Sequence, residues 1–412
     1  MSRSRTRLSR RALGLGFLGL PLAALATGAT ARGSRRLLCV HAEGGWDPLA
    51  AFAPLFDAPL VQMEAGTAPL SIGDFRLVDG PGRPAVASFF RAWGSRTVLW
   101  NGLSTRSVNH EVCQAVALTG SPSDGASDWG TLLGLAAEQS YALPHLVLSG
   151  PIFPGGHTTT VAHARGRVQE AVQGTLAELS DPPLAAPSDV AASIVDAHLE
   201  ARIAAEVGRR GDASLAPMFE IAEARSRELV AVRDRVSFPP AEGVRDQADV
   251  ALRALADGLC RVATIGTDFI WDTHGDNTPQ AGLFDDLFSD LDYIMGRLEA
   301  LSTSDGVALA ESTDVLVVSE MGRTPAYNGT GGRDHWPFTS ALLIGTGVRG
   351  GRTIGGFTNT FGGIGVDPAS GEADPARPGI DARVLGATLL ALGGVDPTEH
   401  IRDAEIVEGV LA

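Results

Sequence analysis

Cysteine is scarce. Cys39, Cys113 and Cys260 form an odd, scattered set in 412 residues, which excludes a disulfide framework and any C-x-x-C metal knuckle. Positive charge is short as well: 33 Lys and Arg stand against 48 Asp and Glu, for a formal net charge of −15. That balance argues against sequence-independent attraction to phosphate backbones or anionic lipid, so nucleic acid is not expected as a partner. Internal repeats are missing. What the chain does have is 44% hydrophobic residues, enough for a core and too many for a disordered protein, with 50 Gly and 24 Pro implying many loops.

The N-terminus stands apart. Arg3, Arg5, Arg7, Arg10 and Arg11 precede an apolar stretch over residues 12–26, and Ala29-Thr30-Ala31 supplies small residues at a cleavage point. We read residues 1–31 as an export signal and 32–412 as the working domain. The segment Ser9-Arg10-Arg11-Ala12-Leu13 resembles the twin-arginine type, with Leu13 where that pattern usually has Phe. The alternative, a membrane anchor, is disfavoured because the apolar run is shorter than the ~20 residues a span requires. A periplasmic or extracellular protein with no stable span after signal removal is expected.

Downstream, short apolar runs alternate with helical patterns. Residues 36–40 (RLLCV), 97–100, 145–148, 261–271 (RVATIGTDFIW), 315–318 and 341–344 read as buried strands. Helices are expected to begin at Pro48 and to cover 110–118, 284–301 and 382–392. Residues 151–166 are too rich in Pro and Gly for a regular element. Residues 188–260 change character: Val195, Leu199, Ile203 and Val207 repeat every four residues, a second stripe runs from Leu215 to Val236, and a third helix is expected over 245–259. These read as a helical insertion or covering layer that packs on the domain. The alternation as a whole predicts a three-layer α/β/α sandwich around a largely parallel sheet.

Chemistry gathers where the strands end. Asp272 and His274 are two apart after a strand, so an extended backbone points both to one face. Ser319 and Glu320 stop the run 315–318, and a Gly-rich loop then delivers Asp334 and His335. In open α/β sheets ligands bind outside the carboxyl ends of the strands. Carboxylates and imidazoles together suit Zn, Mn or related divalent metals. Because neighbours in an extended loop point apart, one of Asp334 and His335 is expected to orient the other. Arg323 and Arg333 flank the site and can either hold an anionic substrate or fasten loops. Residues 345–350 match G-x-G-x-x-G, but no helical pattern follows, which removes the reason to read a nucleotide loop there.

The combination of the GGWD loop (44–47), DTHGDN (272–277), SEMGRTP (319–325) and GGRDHWP (331–337), followed by LLIGTGVRGG (342–351), resembles the family grouped as DUF1501. That family is similar to the alkaline phosphatase and sulfatase superfamily. The resemblance implies a site for one or two divalent metals, Zn, Mn or Ca, that acts on phosphate or sulfate esters of small molecules or polymers. It implies ligands from Asp272, His274, Glu320 and His335, with Glu43 or Asp47 as the acid after the first strand. Laying the superfamily pattern on HEVCQAVALTG puts His110 at the nucleophile position, where no hydroxyl or thiol stands. Cys113 and Gln114 fall at the serine and arginine of the sulfatase pattern. His110 is therefore a candidate ligand, nucleophile, or mark of a lost activity. The expectation is an exported metal-dependent hydrolase; the alternative is a non-catalytic binding or assembly protein on the same fold.

Overall fold

In the computed structural model the described residues are 35–163 apart from 124, 138 and 140, then 188–210, short pieces within 220–228, and 241–412 apart from 242. The expected export signal and most of the second helical stripe lie outside them.

The strands are β1 Arg36–His41, β2 Ala68–Ile72, β3 Phe75–Asp79, β4 Thr97–Ser104, β5 His145–Val147, β6 Val161–His163, β7 Val262–Gly266, β8 Thr313–Val318, β9 Gly322–Arg323, β10 His335–Trp336, β11 Phe338–Ile344, β12 Arg352–Phe357, β13 Gly363–Val366, β14 Ala373–Pro378 and β15 Ile380–Asp381. The α-helices are α1 Pro48–Ala51, α2 Pro84–Trp93, α3 His110–Thr119, α4 Trp129–Leu135, α5 Asp189–Arg210, α6 Val244–Ala256, α7 Pro279–Ala300, α8 Leu309–Ser312 and α9 Ala382–Leu392.

Eleven strands form one sheet in the order β14-β13-β12-β4-β11-β8-β1-β7-β5-β6, with β15 on β4. Only β11 and β13 run against the common direction, so the sheet is largely parallel. Side chains of the central strands alternate between two cores. Leu38 and Val40 of β1, and Val315 and Val317 of β8, meet Phe89 of α2, Leu252 of α6 and Phe288 of α7. Leu37, Cys39, Leu316 and Val318 meet Val116 of α3, Leu132 of α4 and Leu389 of α9. A strand covered on both faces must be apolar at every position, which is why these read as unbroken runs. Each such side chain stabilises the fold by about 1.5–3 kcal/mol on burial. The three-layer sandwich is thus present.

The topology also confines the site. Because β11 returns antiparallel beside β8, the connection over residues 319–337 stays at the carboxyl edge of the parallel strands, holding Glu320 and His335 above the same end.

Several expectations are corrected. The strand over 261–271 ends at Gly266, because its neighbours β1 and β5 end at His41 and Val147 and offer no ladder beyond them. The helix begun at Pro48 stops after one turn; Pro54 follows closely and cannot donate to it. Residues 151–166 do contain a regular element, the three-residue edge strand β6 paired with β5. Of the expected covering helices, α6 is buried against the sheet, whereas α5 leaves Val195 and Leu199 more than half exposed among the described residues. No helix among the described residues is long and apolar enough to cross a membrane.

At the amino edge of the sheet, Arg35 grips Asp314 by two bonds, Nε to Oδ2 at 2.5 Å and Nη2 to Oδ1 at 2.8 Å, and both side chains are buried. Removing one partner strands a buried charge, so Asp314→Ala should lower the unfolding free energy by about 3–5 kcal/mol. Denaturant melts of Asp314→Ala, Arg35→Ala and the double variant check this; the double variant should lose clearly less than the sum of the singles.

Candidate functional site

Four chain segments meet at the carboxyl edge. After β4, the Thr105 backbone N–H donates to Pro337 O (2.9 Å) and its hydroxyl to the same oxygen (3.2 Å), turning the chain toward α3. Asn109 then caps α3, its side chain accepting from Val112 N at 3.0 Å, which sets His110 on the first helical residue. Glu320 follows β8, Asp272 and His274 lie in the loop after β7, and His335 opens β10, which leads through Pro337 into β11.

Three histidines share one arrangement there. His110 Nδ1 lies 2.9 Å from Glu320 Oε1. His335 Nδ1 lies 2.6 Å from Val108 O, and His274 Nδ1 lies 3.1 Å from Asp334 Oδ1. Each of these partners accepts, so each Nδ1 carries a proton, and in the neutral ring each Nε2 keeps its lone pair; the tautomers are assigned from these bonds. The three Nε2 atoms turn toward Asp272. His274 Nε2 and His335 Nε2 stand 3.2 and 3.3 Å from Asp272 Oδ1 and only 2.7 Å from each other. His110 Nε2, buried without a hydrogen-bond partner, is 3.7 Å from Asp272 Oδ2. Two lone pairs facing at that distance repel unless a positive charge lies between them. His110, Asp272 and His335 each offer a ligand atom, all within 4.8 Å of one another, and the donor set is one that divalent metals take. Asp334 orients His274 and a backbone carbonyl orients His335, the arrangement common behind metal-bound imidazoles.

Glu320 is fully buried. Burial pushes its carboxyl up, but the His110 hydrogen bond, the nearby His41 and the backbone N–H groups of Glu320 and Gly44 outweigh it and hold the group below its ordinary value. His335 moves the other way: burial lowers it and keeps the imidazole neutral. His41, at the end of β1 and 4.0 Å from Glu320 Oε2, is likewise lowered by burial, and neither of its ring nitrogens has a hydrogen-bond partner.

The two arginines are fully engaged. Arg323, wholly buried, donates to the carbonyls of Gly45 (2.7 Å), Trp271 (3.0 Å) and Gly44, and to Asp272 Oδ1 at 2.7 Å. Arg333 pairs with Asp47 at 3.1 Å, donates to Thr324 O at 2.5 Å and to Gln62 O, and lies over the Tyr327 ring. Of the two roles open to them, the geometry shows loop fastening. Asp47 caps α1, accepts from Asn277 at 2.9 Å, and lines a separate cavity with Arg333. Glu43 accepts from Gln114 of α3 at 3.1 Å. Neither of these acids belongs to the convergent group among the described residues. The structure therefore brings together His110, Asp272, His274, Glu320, Asp334 and His335, with Arg323 bound to Asp272, and leaves Asp47 and Arg333 as a pair outside.

Close backbone approach explains two of the loop glycines. A side chain on Gly44, at φ +115°, would meet Asp272 N at 2.7 Å, and one on Gly332 would meet His274 O at 1.9 Å. Sequence reasoning missed the carbonyl of Val108, because backbone acceptors carry no signature, and Asn328, which donates to His274 O (2.9 Å) and Asp334 Oδ1 (3.1 Å) from within an ordinary polar loop.

Glu320 has a thermodynamic consequence. Its folded value lies below the ordinary 4.5 that it regains on unfolding. The ionised carboxylate therefore stabilises the fold above that pH, and the contribution is lost as pH falls through the lowered folded value. Between the two, stability should fall by up to about 1.4 kcal/mol per pH unit from this group. Denaturant melts at stepped pH should show a shallower acid-side decline for Glu320→Gln than for the wild type.

A family model described as "Protein of unknown function (DUF1501)" matches residues 196–401, half of the chain; β1 and His110 lie outside the match. No curated protein matches. Among solved structures, the chain is similar to a protein in the alkaline phosphatase superfamily from Vibrio parahaemolyticus, at 10% identity over 89% of this chain and 68% of that one, with a TM-score of 0.37. It is similar to Ps i-CgsB, solved with a neocarrahexaose, at 10% identity over 91% and 75%, TM-score 0.40. The PsFucS1 sulfatase from Pseudoalteromonas sp. shares 10% identity over 92% and 72%, TM-score 0.36. The architecture and the site rest on the geometry above, and the family match places them: this chain belongs to the DUF1501 family.

Proposed function

We propose that the protein is an exported, metal-dependent hydrolase of phosphate or sulfate esters. One observation carries the reading: three imidazole Nε2 lone pairs and the Asp272 carboxylate converge, while each Nδ1 is tied to a separate acceptor. Asp272, His335 and His274 would hold the ion, with His110 beside them. A bound Zn, Mn or Ca ion supplies a Lewis acid that polarises the ester oxygen and acidifies water.

The chain's own residues do the rest. Glu320 fixes His110 in the tautomer whose Nε2 faces the site, as a general base requires. His110 then takes the proton of the attacking water while the new oxygen bond to phosphorus or sulfur forms. The ester oxygen bond breaks, and the alcohol leaves protonated by solvent, with inorganic phosphate or sulfate as the other product. Arg323 keeps Asp272 ionised and in place. Export rests on the arginine-rich N-terminus and its apolar stretch.

A second reading, a binding protein without turnover, draws on a different observation. Position 110 offers an imidazole where a hydroxyl or thiol would be expected, and the nearby Cys113 thiol is buried and pushed up by that burial. The two readings separate in one experiment. Elemental analysis of purified protein should find a divalent metal that Asp272→Ala and His335→Ala each lose. The wild type should turn over an aryl phosphate or an aryl sulfate, and His110→Ala should slow that turnover by about 100-fold or more. Metal retained without turnover of either ester selects the binding protein; no metal in the wild type sinks the metal-dependent reading.

A further inference from the structure

The mouth of the cluster is apolar on one side. Phe269 follows β7, in the stretch released from the sheet when its neighbours end, and it is 46% exposed. Its ring stands edge-on to His110 with centroids 4.6 Å apart. Two residues before the same histidine, Val108 is 51% exposed, and its carbonyl holds His335 Nδ1. Ile270 is exposed as well, but it lines another cavity with Thr267 and Trp271 and does not enter the argument.

Two large apolar side chains thus remain in water next to the two imidazoles that build the site. An exposed aromatic ring is unremarkable when isolated. Here it is continuous with the convergent donors, because the same His110 ring also stands edge-on to His335, with centroids 4.4 Å apart. Resting on the hydrolase reading, we infer that Phe269 and Val108 form a platform for the organic group of the ester, and that this group is aryl or branched alkyl. A flat apolar group laid there would remove water from both side chains and add an aromatic contact to Phe269. A sugar hydroxyl or a second charge would find no partner on either residue.

The test is calorimetric titration of the metal-loaded full-length protein with two ligand pairs: phenylphosphonate against methylphosphonate, and benzenesulfonate against methanesulfonate. In whichever pair binds, the aryl member should be tighter by about tenfold, which corresponds to roughly 1.4 kcal/mol. Phe269→Ala should bring that ratio below about threefold, Phe269→Leu should restore part of it, and Val108→Ser should reduce it more mildly. Equal affinity of aryl and methyl members in the wild type overturns the platform and leaves the hydrolase reading standing. A Phe269→Ala variant that weakens both members alike also overturns it, since that is the behaviour of a ring that only shields the His110–Glu320 pair. If none of the four ligands binds, the anion-site reading fails and the platform with it. Both side chains are about half exposed, so these substitutions are not expected to cost folding, and a thermal melt of each variant verifies it.

Discussion

The site depends on one buried guanidinium. Arg323 reaches the carbonyls of Gly44 and Gly45 after β1 and of Trp271 after β7, and it ends on the carboxylate of Asp272. Those loops leave the paired strands β1 and β7, are joined by backbone bonds from Thr267 N to His41 O and from Trp271 N to Glu43 O, and are tied further out by this guanidinium. A planar fork with five donors can satisfy several acceptors in one plane, which an ammonium cannot. The glycines follow from it: the chain after β1 must pass within contact distance of the backbone at Asp272, and any side chain at Gly44 would collide there. Arg333 acts in parallel one layer out, tying Asp47, Thr324 and Gln62. Two charges whose role the sequence leaves open between anion binding and loop fastening are thus spent on holding the loops that present the donors.

Glu320 shows why a buried charge persists at the heart of this arrangement. A carboxylate with no solvent contact is costly to keep ionised. Here one oxygen accepts both from Gly44 N at 2.8 Å and from His110 at 2.9 Å, so desolvation is offset by bonds that are stronger for the ionised form. The same bonds decide the tautomer of His110 and leave its Nε2 free. Ser319 holds the neighbouring backbone, its hydroxyl donating to Ala42 O at 2.6 Å and accepting from Trp46 N at 3.0 Å. The pair Ser319-Glu320 at the end of β8 therefore joins the carboxyl edge to the first residue of α3.

Much of this was legible in the sequence where burial imposed a pattern. Residues 315–318 and 36–40 lie covered on both faces, so their apolar runs mark β8 and β1, and the helix over 382–392 ends where Gly393 follows Leu392. Strand-end placement marked Glu320, whereas Asp272 and His274 were singled out through a strand read five residues too long and His335 through its Gly-rich loop. What was not legible depended on partners distant in the chain. Whether residues 267–271 continue a strand is decided by where β1 and β5 stop. Glycine-rich residues 352–357 become β12 because β4 offers a ladder. Asp47 and Glu43 are both acids after the first strand, and only the three-dimensional positions of Arg333, Asn277 and Gln114 separate their roles. The distinction between a guanidinium that binds substrate and one that binds carbonyls has no sequence signature at all.

The charges around the cluster link its two expected ligands. Asp272, Glu320 and Asp334 lie against the imidazoles, and of Arg323 and Arg333 it is Arg323 that bonds to one of these acids. Asp47 keeps Arg333 for itself. An anionic ester approaching this set alone would meet net negative charge at short range in a partly water-excluded site, where repulsion is strong. A divalent cation held by these residues would offset most of that charge. Under the proposed hydrolase reading, cation binding would then precede or accompany ester binding, and each would raise the affinity of the other by the same factor. Under that reading the coupling would be the stronger because Arg323 and Arg333, the guanidiniums described at the site, are already bonded within the protein.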